Sequence, residues 1–298
     1  MRGLPHSLRA GAAWAWGLAF VLSALAAWAG ALGGLQTAWH DLQARVLAPR
    51  ATASGVLLVD IDEPSVQATG GWPPSRAGLA QVAAQALQAG ARAVVIDLVL
   101  ADPREGDAAL AAVMQAHPGR VVLAASVLPA QTDAPLARTL SGPPGCAAQA
   151  WAGLLLPAPP LRAAGPRLGM VSTPTDPDGQ LRAWPLWHAS AEQLLPALPL
   201  AALLAAHGAD EAALRCEAGE LQVAGLRLPI DAQGRVRPAF RHSATAVLLH
   251  SYASVLRAEV PATAWRGQVV VIGASAALGD RVQTPLGPRW GPGVLAET

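Results

Sequence analysis

No lysine occurs anywhere in the chain, so every one of its Lys-or-Arg positions, 21 in all, is an arginine. With the abundance of Ala, Arg, Pro and Gly, we read that absence as a base-composition bias without functional weight. Net charge is nearly absent as well. Arg2 and Arg9 are the only Arg, Asp or Glu in the first 40 residues, which leaves 19 arginines against 20 acids beyond them. No basic stripe stands out, and that excludes a phosphate-backbone binder and hence a nucleic-acid partner. Cysteine is scarce. Cys146 and Cys216 show no CxxC or Cys/His spacing, which argues against a zinc site. They leave two options open, one disulfide in an oxidising compartment or two unrelated buried thiols, with the second preferred. A P-loop and a G-x-G-x-x-G fingerprint are missing. Gly273-Ala274-Ser275-Ala276-Ala277 is no nucleophile elbow, because its closing glycine is lacking. Ten Trp stand against two Phe and one Tyr, an imbalance with no physical account here.

A further absence is positive evidence. No Arg, Asp, Glu or His lies between Ala10 and Trp39. Its densest part, Gly11–Leu32, would span roughly 33 Å as a helix, about the thickness of a bilayer core. Trp14, Trp16, Trp28 and Trp39 are placed to occupy interfacial belts, and Arg2 and Arg9 put the N-terminus in the cytoplasm. The expectation is therefore a cytoplasmic residue 1–10 segment, a transmembrane helix over 11–35 and an extracytoplasmic domain over 36–298. The competing reading is a cleaved signal peptide, with Ala27-Trp28-Ala29 ahead of Gly30 as a small-x-small site. The apolar run outlasts an ordinary signal-peptide core, which favours the anchor. In both cases the main domain leaves the cytoplasm, to the periplasmic side of the inner membrane.

What remains is patterned as alternating strand and helix. The run around Gly55–Ile61 has strand length, Ser75 caps a helix with Leu79, Val82, Ala83, Ala86 and Leu87 on one face, and Gly90 ends it. Ala93–Val99 is a second strand, Asp107 caps a further helix, and Arg120–Val127 is a third strand. The fold class expected is α/β: a mixed, largely parallel β-sheet flanked by helices, after an N-terminal membrane helix. Pro129–Pro166 reads as long loops with one short element. The segment around Asp176-Pro177-Asp178-Gly179 reads as a hairpin on a type I turn. Leu198–His207 is a short apolar helix, Glu220–Pro229 a small hairpin, and Gln268–Gly273 a last buried strand.

Ligands of parallel sheets gather at the carboxyl ends of the strands, where Asp60, Asp62 and Asp97 are expected. If the first two strands pair, these acids come side by side. With Trp72 and Arg76 they make an aromatic plane beside charges of both signs, a plausible wall for a small-solute site. Asp60-Ile61-Asp62 resembles the aspartate pair of the phosphate-transferring haloacid dehalogenase enzymes. Glu63-Pro64 departs from that signature, and no lysine exists to supply its later one. Asp178-Gly179 is a fragment of a calcium loop without the third ligand or closing Glu, so a plain turn is preferred. His40, His117, His207 and His242 lack ligand spacing.

The segment VLLVDIDEPSVQATGGWPPSR resembles the opening signature of the second type of CHASE domain, an extracellular sensory module of cyclases and histidine kinases. The matching residues are Ile61, Asp62, Glu63, Ser65, Gly71, Trp72, Pro73 and Arg76. AVVIDLVLADP resembles the family's second strand, with the usual aromatic after the Asp replaced around Val99–Leu100. Asp176, Asp178, Gly179 and Arg182 match its Asp-x-Asp-Gly-x-x-Arg block, and Gly273, Asp280, Thr284, Pro285 and Gly287 a late block. The closing motif, GPGVLAET, departs from the family's Pro-Gly-Val-Glu-x-His-Ala. The resemblance implies a sensor in bacterial signal transduction. Its ligand-binding residues would be Asp60, Asp62, Glu63, Trp72, Arg76 and Asp97, with Asp178, Arg182 and Asp280 carried over by motif match. No catalytic residue, metal or cofactor is assigned. The partners expected are an unidentified small-molecule ligand, the membrane and, as an option, a second copy of the chain. Related chains continue into membrane helices and a cyclase, diguanylate cyclase, phosphodiesterase or kinase, so a truncated product is expected. The alternative is an extracytoplasmic metal-dependent hydrolase using the Asp60, Asp62 and Asp97 cluster.

Overall fold

Val56–Ile61 alternates half-buried and buried positions, as a strand with two covered faces of unequal depth must. It is strand β1 of the computed structural model, which describes residues 16–25, 31–48, 55–128, 139–141, 143, 145–190, 193–240, 248–276 and 281–297. Two units divide the chain, Met1–Ala48 and Pro49–Thr298. In the first, residues 16–25 and Ala31–Leu47 (α1) are helical. Among the described residues no helix is long and apolar enough to cross a membrane. The expected span over 11–35 falls partly on residues 11–15 and 26–30, outside the described ones.

Among the described residues, the second unit is built on a seven-stranded sheet. Its strands are β1, β2 (Ala93–Ile96), β3 (Val121–Val127), β4 (Leu154–Leu155), β5 (Arg167–Met170), β6 (Leu248–Ser251) and β7 (Val269–Ala274). Six run parallel in the order β6-β1-β7-β2-β3-β5, and the two-residue β4 pairs antiparallel with the end of β3. One expectation is corrected here. β1 and β2 do not pair, because β7 lies between them, with Asp60 opposite Gly273 and Ile272 opposite Ile96. A strand-helix-strand pattern fixes direction and connection, but leaves open whether a later strand enters the gap.

Period-two alternation assigns each face its layer. Leu57, Val59, Ile61, Val94, Ile96, Leu123, Val270 and Ile272 meet one core cluster. Helices α2 (Glu63–Ala68), α3 (Arg76–Gln88), α4 (Asp107–Ala116), α5 (Pro159–Ala163) and α7 (Tyr252–Leu256) belong to this side through Val66, Leu79, Leu110, Leu161 and Val255. Ala93, Val95, Val122, Ala124 and Val271 meet the other cluster, with Leu198, Ala201 and Ala205 of α6 (Leu198–His207). An all-apolar helix needs cover on every side. Leu200 and Leu204 of α6 accordingly enter a further cluster with Trp187 of a small mixed sheet and Leu221 and Val223 of a small antiparallel one. The final helix is α8 (Gly291–Glu297).

Several local expectations stand, and others are corrected. Ser75 caps α3 by accepting from the Gly78 amide at 3.1 Å, and Gly90 follows with φ +95°. Asp107 is not a cap but the first residue of α4, after Gly106. The Asp176–Gly179 turn closes at 2.8 Å, yet no hairpin forms on it. Arg167–Met170 joins the large sheet, while Trp184–Pro185 and Trp187–Ala189 pair elsewhere. The Pro-rich 129–166 region holds strands Thr139–Ser141, Ala147–Ala150 and Leu154–Leu155 as well as α5. Cys146 and Cys216 form a disulfide with Cα atoms 5.0 Å apart, which overturns the preference for separate thiols.

His188 is fully buried, and its Nδ1 accepts from Trp151 Nε1 at 2.9 Å beneath a near-parallel ring contact. Burial lowers its pKa from the ordinary 6.5 to about 3. The folded chain keeps the imidazole neutral, while the unfolded chain takes up a proton as pH falls through 6.5. This contribution is therefore fully present above pH 6.5 and is lost on acidification toward pH 3. At pH 5 the loss amounts to about 2 kcal/mol. Urea unfolding at pH 7.5 and pH 5 checks it: His188→Gln is expected to remove that part of the pH dependence. An unchanged difference would refute the assignment.

Candidate functional site

Each parallel strand delivers its carboxyl end to one rim of the sheet. The register places Asp60 beside Gly273 on β7, and the Asp97 amide donates to Ile272 O at 2.8 Å from the other side. Alternation puts Asp60, Gly273 and Asp97 on the same face. A glycine is needed between them. A Cβ at Gly273 would clash with Pro292 Cγ, so the start of α8 seats directly on β7. Gly273→Ala is expected to cost about 1–3 kcal/mol as Pro292 is pushed away. Thermal unfolding checks it, and an unchanged midpoint would contradict the close seating.

The two acids of β1 are engaged locally. Asp60 accepts from the Ser275 amide at 2.9 Å and from the Ser275 hydroxyl, tying β1 to the exit of β7. Burial raises its pKa, the Ser275 hydrogen bonds pull it back, and neighbouring Asp62 adds a smaller upward push. Asp62 caps α2: its Oδ1 accepts from the Ser65 amide at 2.9 Å, from the Ser65 hydroxyl and from Ser251 Oγ at 3.1 Å. Ser65 itself is fully buried and accepts from the Ala253 amide. Glu63 is exposed on the first turn of α2.

Arg76 is likewise structural. It is 4% exposed, and its Nε donates to Asp107 Oδ1 at 2.9 Å. Asp107 Oδ2 also accepts from the Arg104 amide at 2.9 Å, so the pair joins the start of α3 to that of α4. Asp178 and Arg182 form a closed turn with Asp176. Arg182 donates to Asp176 Oδ2 at 2.8 Å and to both oxygens of Asp178. These bonds hold the Asp178 carboxyl down at about 2, first through Arg182. Leu181 N donates to Gln283 O, which fastens this turn to the Arg281–Thr284 strand. Asp280 lies outside the described residues.

Of the expected residues, Trp72 and Asp97 come together. They line a cavity of about 290 Å³ at the strand-end rim. Ser126 from β3 and Ser172 beyond β5 face it with hydroxyls 2.9 Å apart, and Ser172 Oγ also accepts from the Val127 amide at 3.1 Å. Trp184, Ala274, Pro292 and Val294 also line the wall. A smaller cavity of about 220 Å³ shares Trp72, Leu98 and Val99, and Arg76 borders that one instead. Among the described residues, Asp97 is the one charged group of the larger cavity's lining. Ser126, Ser172 and Pro292 were missed from sequence. The strand-end rule, applied to β3 and β5 as it was to β1 and β2, points to both serines.

The family model for the CHASE2 domain matches residues 17–297. The chain belongs to the CHASE2 family. Its members are extracellular sensory domains of signalling proteins, a role that is not catalytic. No curated protein and no solved structure matches this CHASE2 chain. Seen against the family signature, much of the motif is scaffold. Asp62 and Ser65 build a helix cap, Arg76 an ion pair, Asp178 and Arg182 a turn. Among the described residues of this CHASE2 domain, no three His, Cys, Asp or Glu side chains are gathered to hold a metal. Of the three aspartates in the hydrolase reading, Asp60 is bonded to Ser275 and Asp62 to the α2 cap, while Asp97 lines the cavity.

Proposed function

We propose that this CHASE2 chain is the signal-input part of a bacterial signalling protein, set in the periplasm and anchored in the inner membrane by its apolar N-terminal segment. A small solute binds in the strand-end cavity. The observation that carries this reading is the meeting of Trp72 and Asp97 with the Ser126 and Ser172 hydroxyls at the rim where parallel sheets accept ligands. The charge-free stretch between Ala10 and Trp39 supports the anchor. Pro292 and Val294 of α8 stand in the cavity wall, so occupancy biases how that helix sits on β7. The bias cannot exceed the ligand's differential affinity for two arrangements, typically about 1–3 kcal/mol.

The test is a thermal-shift screen of the full chain in nanodiscs against sugars, polyols, amines and neutral amino acids. Stabilising compounds are expected to lose at least about tenfold in affinity with Asp97→Ala or Ser172→Ala. Asp178→Ala, at the turn outside the cavity, is expected to leave them unchanged. Hits indifferent to Asp97 and Ser172 would place the site elsewhere.

A further inference from the structure

The opposite, amino-terminal end of the sheet carries a second cleft of about 350 Å³, lined almost wholly by apolar groups. One wall is the sheet itself, through Val56, Val95 and Val269. A second is the flank of α6, where Ala202 and Ala206 leave room, and a third is the Glu220–Pro229 hairpin through Leu226 and Leu228. The space follows from the coverage of this face. α6 packs over β2, β3 and β5, leaving Val56 and Val269 of β1 and β7 only partly buried. Two basic side chains border this apolar space, Arg92 just before β2 and His207 at the end of α6. Both are exposed. Among the described residues Arg92 has no ion-pair partner, and no Asp or Glu lines the cleft.

We propose that this cleft binds a small amphipathic carboxylate, its alkyl or aryl part between α6 and the hairpin and its head group on Arg92. Charge decides the class. An apolar slot closed on three sides takes a hydrocarbon body, and a guanidinium at its border pairs with a planar carboxylate in a two-pronged contact. A cationic amphiphile meets the same arginine with repulsion. The site is separate from the strand-end cavity, so neither proposal depends on the other.

The full chain, reconstituted in nanodiscs of zwitterionic lipid, is photolabelled with a diazirine-bearing decanoate and the label is located by mass spectrometry. Label is expected on Leu198–His207 and Glu220–Pro229. Unlabelled decanoate competes for it and decyltrimethylammonium does not. From hexanoate to octanoate to decanoate, competition strengthens by up to about fourfold per methylene. Arg92→Gln, an exposed change that leaves the fold intact, is expected to reduce labelling about tenfold. Ala206→Trp fills the slot and abolishes labelling, while Asp97→Ala leaves it unchanged. Label found elsewhere, or unaltered in either cleft variant, would overturn the assignment.

Discussion

Asp107→Ala is expected to destabilise the domain by about 3–5 kcal/mol, because it strands the Arg76 guanidinium without its carboxylate. Both side chains are nearly out of water, Arg76 at 4% and Asp107 at 6% exposure. The aspartate answers two needs, the Arg76 Nε proton and the Arg104 amide. The starts of α3 and α4 pack closely at this pair. A Cβ at Gly106 would already lie 2.8 Å from the Ala77 amide and 3.0 Å from Arg76 Cβ. Replacing both partners together, as Arg76→Met with Asp107→Leu, should restore most of the loss, since no buried charge is then left alone. Urea unfolding of the three variants checks this. A loss below about 1 kcal/mol for Asp107→Ala would mean that water reaches the pair, and would return Arg76 to the list of ligand-facing groups.

Reduction of the Cys146–Cys216 disulfide, or Cys146→Ser, is expected to cost about 4 kcal/mol, because the crosslink closes a long loop in the unfolded chain. The two cysteines are 70 residues apart. In the fold the bond joins the turn before Ala147–Ala150 to the Arg215–Glu217 strand. Those elements cover α6 through a cluster containing Cys146, Trp187, Leu204 and Leu221. The loss should therefore begin in the outer layer, with amides of Glu220–Val223 losing hydrogen-exchange protection before those of β1 and β7. Denaturation with and without reductant measures the first effect and exchange mapping the second. Equal stability of the reduced chain would show that cluster to be self-sufficient.

Direction and periodicity were legible in the sequence, while adjacency was not. β1, α3, β2, α4 and β3 follow from the spacing of Leu79, Val82, Ala83, Ala86 and Leu87 and from runs such as Val121–Val127, because local burial dictates those patterns. The slot taken by β7 depends on contacts more than 170 residues distant, and no local pattern encodes them. β6 was missed because only four residues, Leu248–Ser251, carry it at the sheet edge. The lining of the strand-end cavity was legible in part. Asp97 and Trp72 came from the strand-end rule and from an aromatic in a signature. Asp62 and Arg76, which look in sequence like recognition groups, are in the structure a capping carboxylate and a paired guanidinium. The partners that absorb them, Ser65, Ser251 and Asp107, become visible only in space.

The placement of β7 has a consequence for biogenesis. A polypeptide made and exported from its amino end presents β1 and β2 long before Val269–Ala274 arrives to join them. Until then their facing edges are open ladders, liable to wrong pairing and to proteolysis. Productive folding waits for β7, and such distant pairing is intrinsically slow. A mutation that delays β7 is therefore expected to appear as reduced abundance of the folded domain rather than as altered ligand binding.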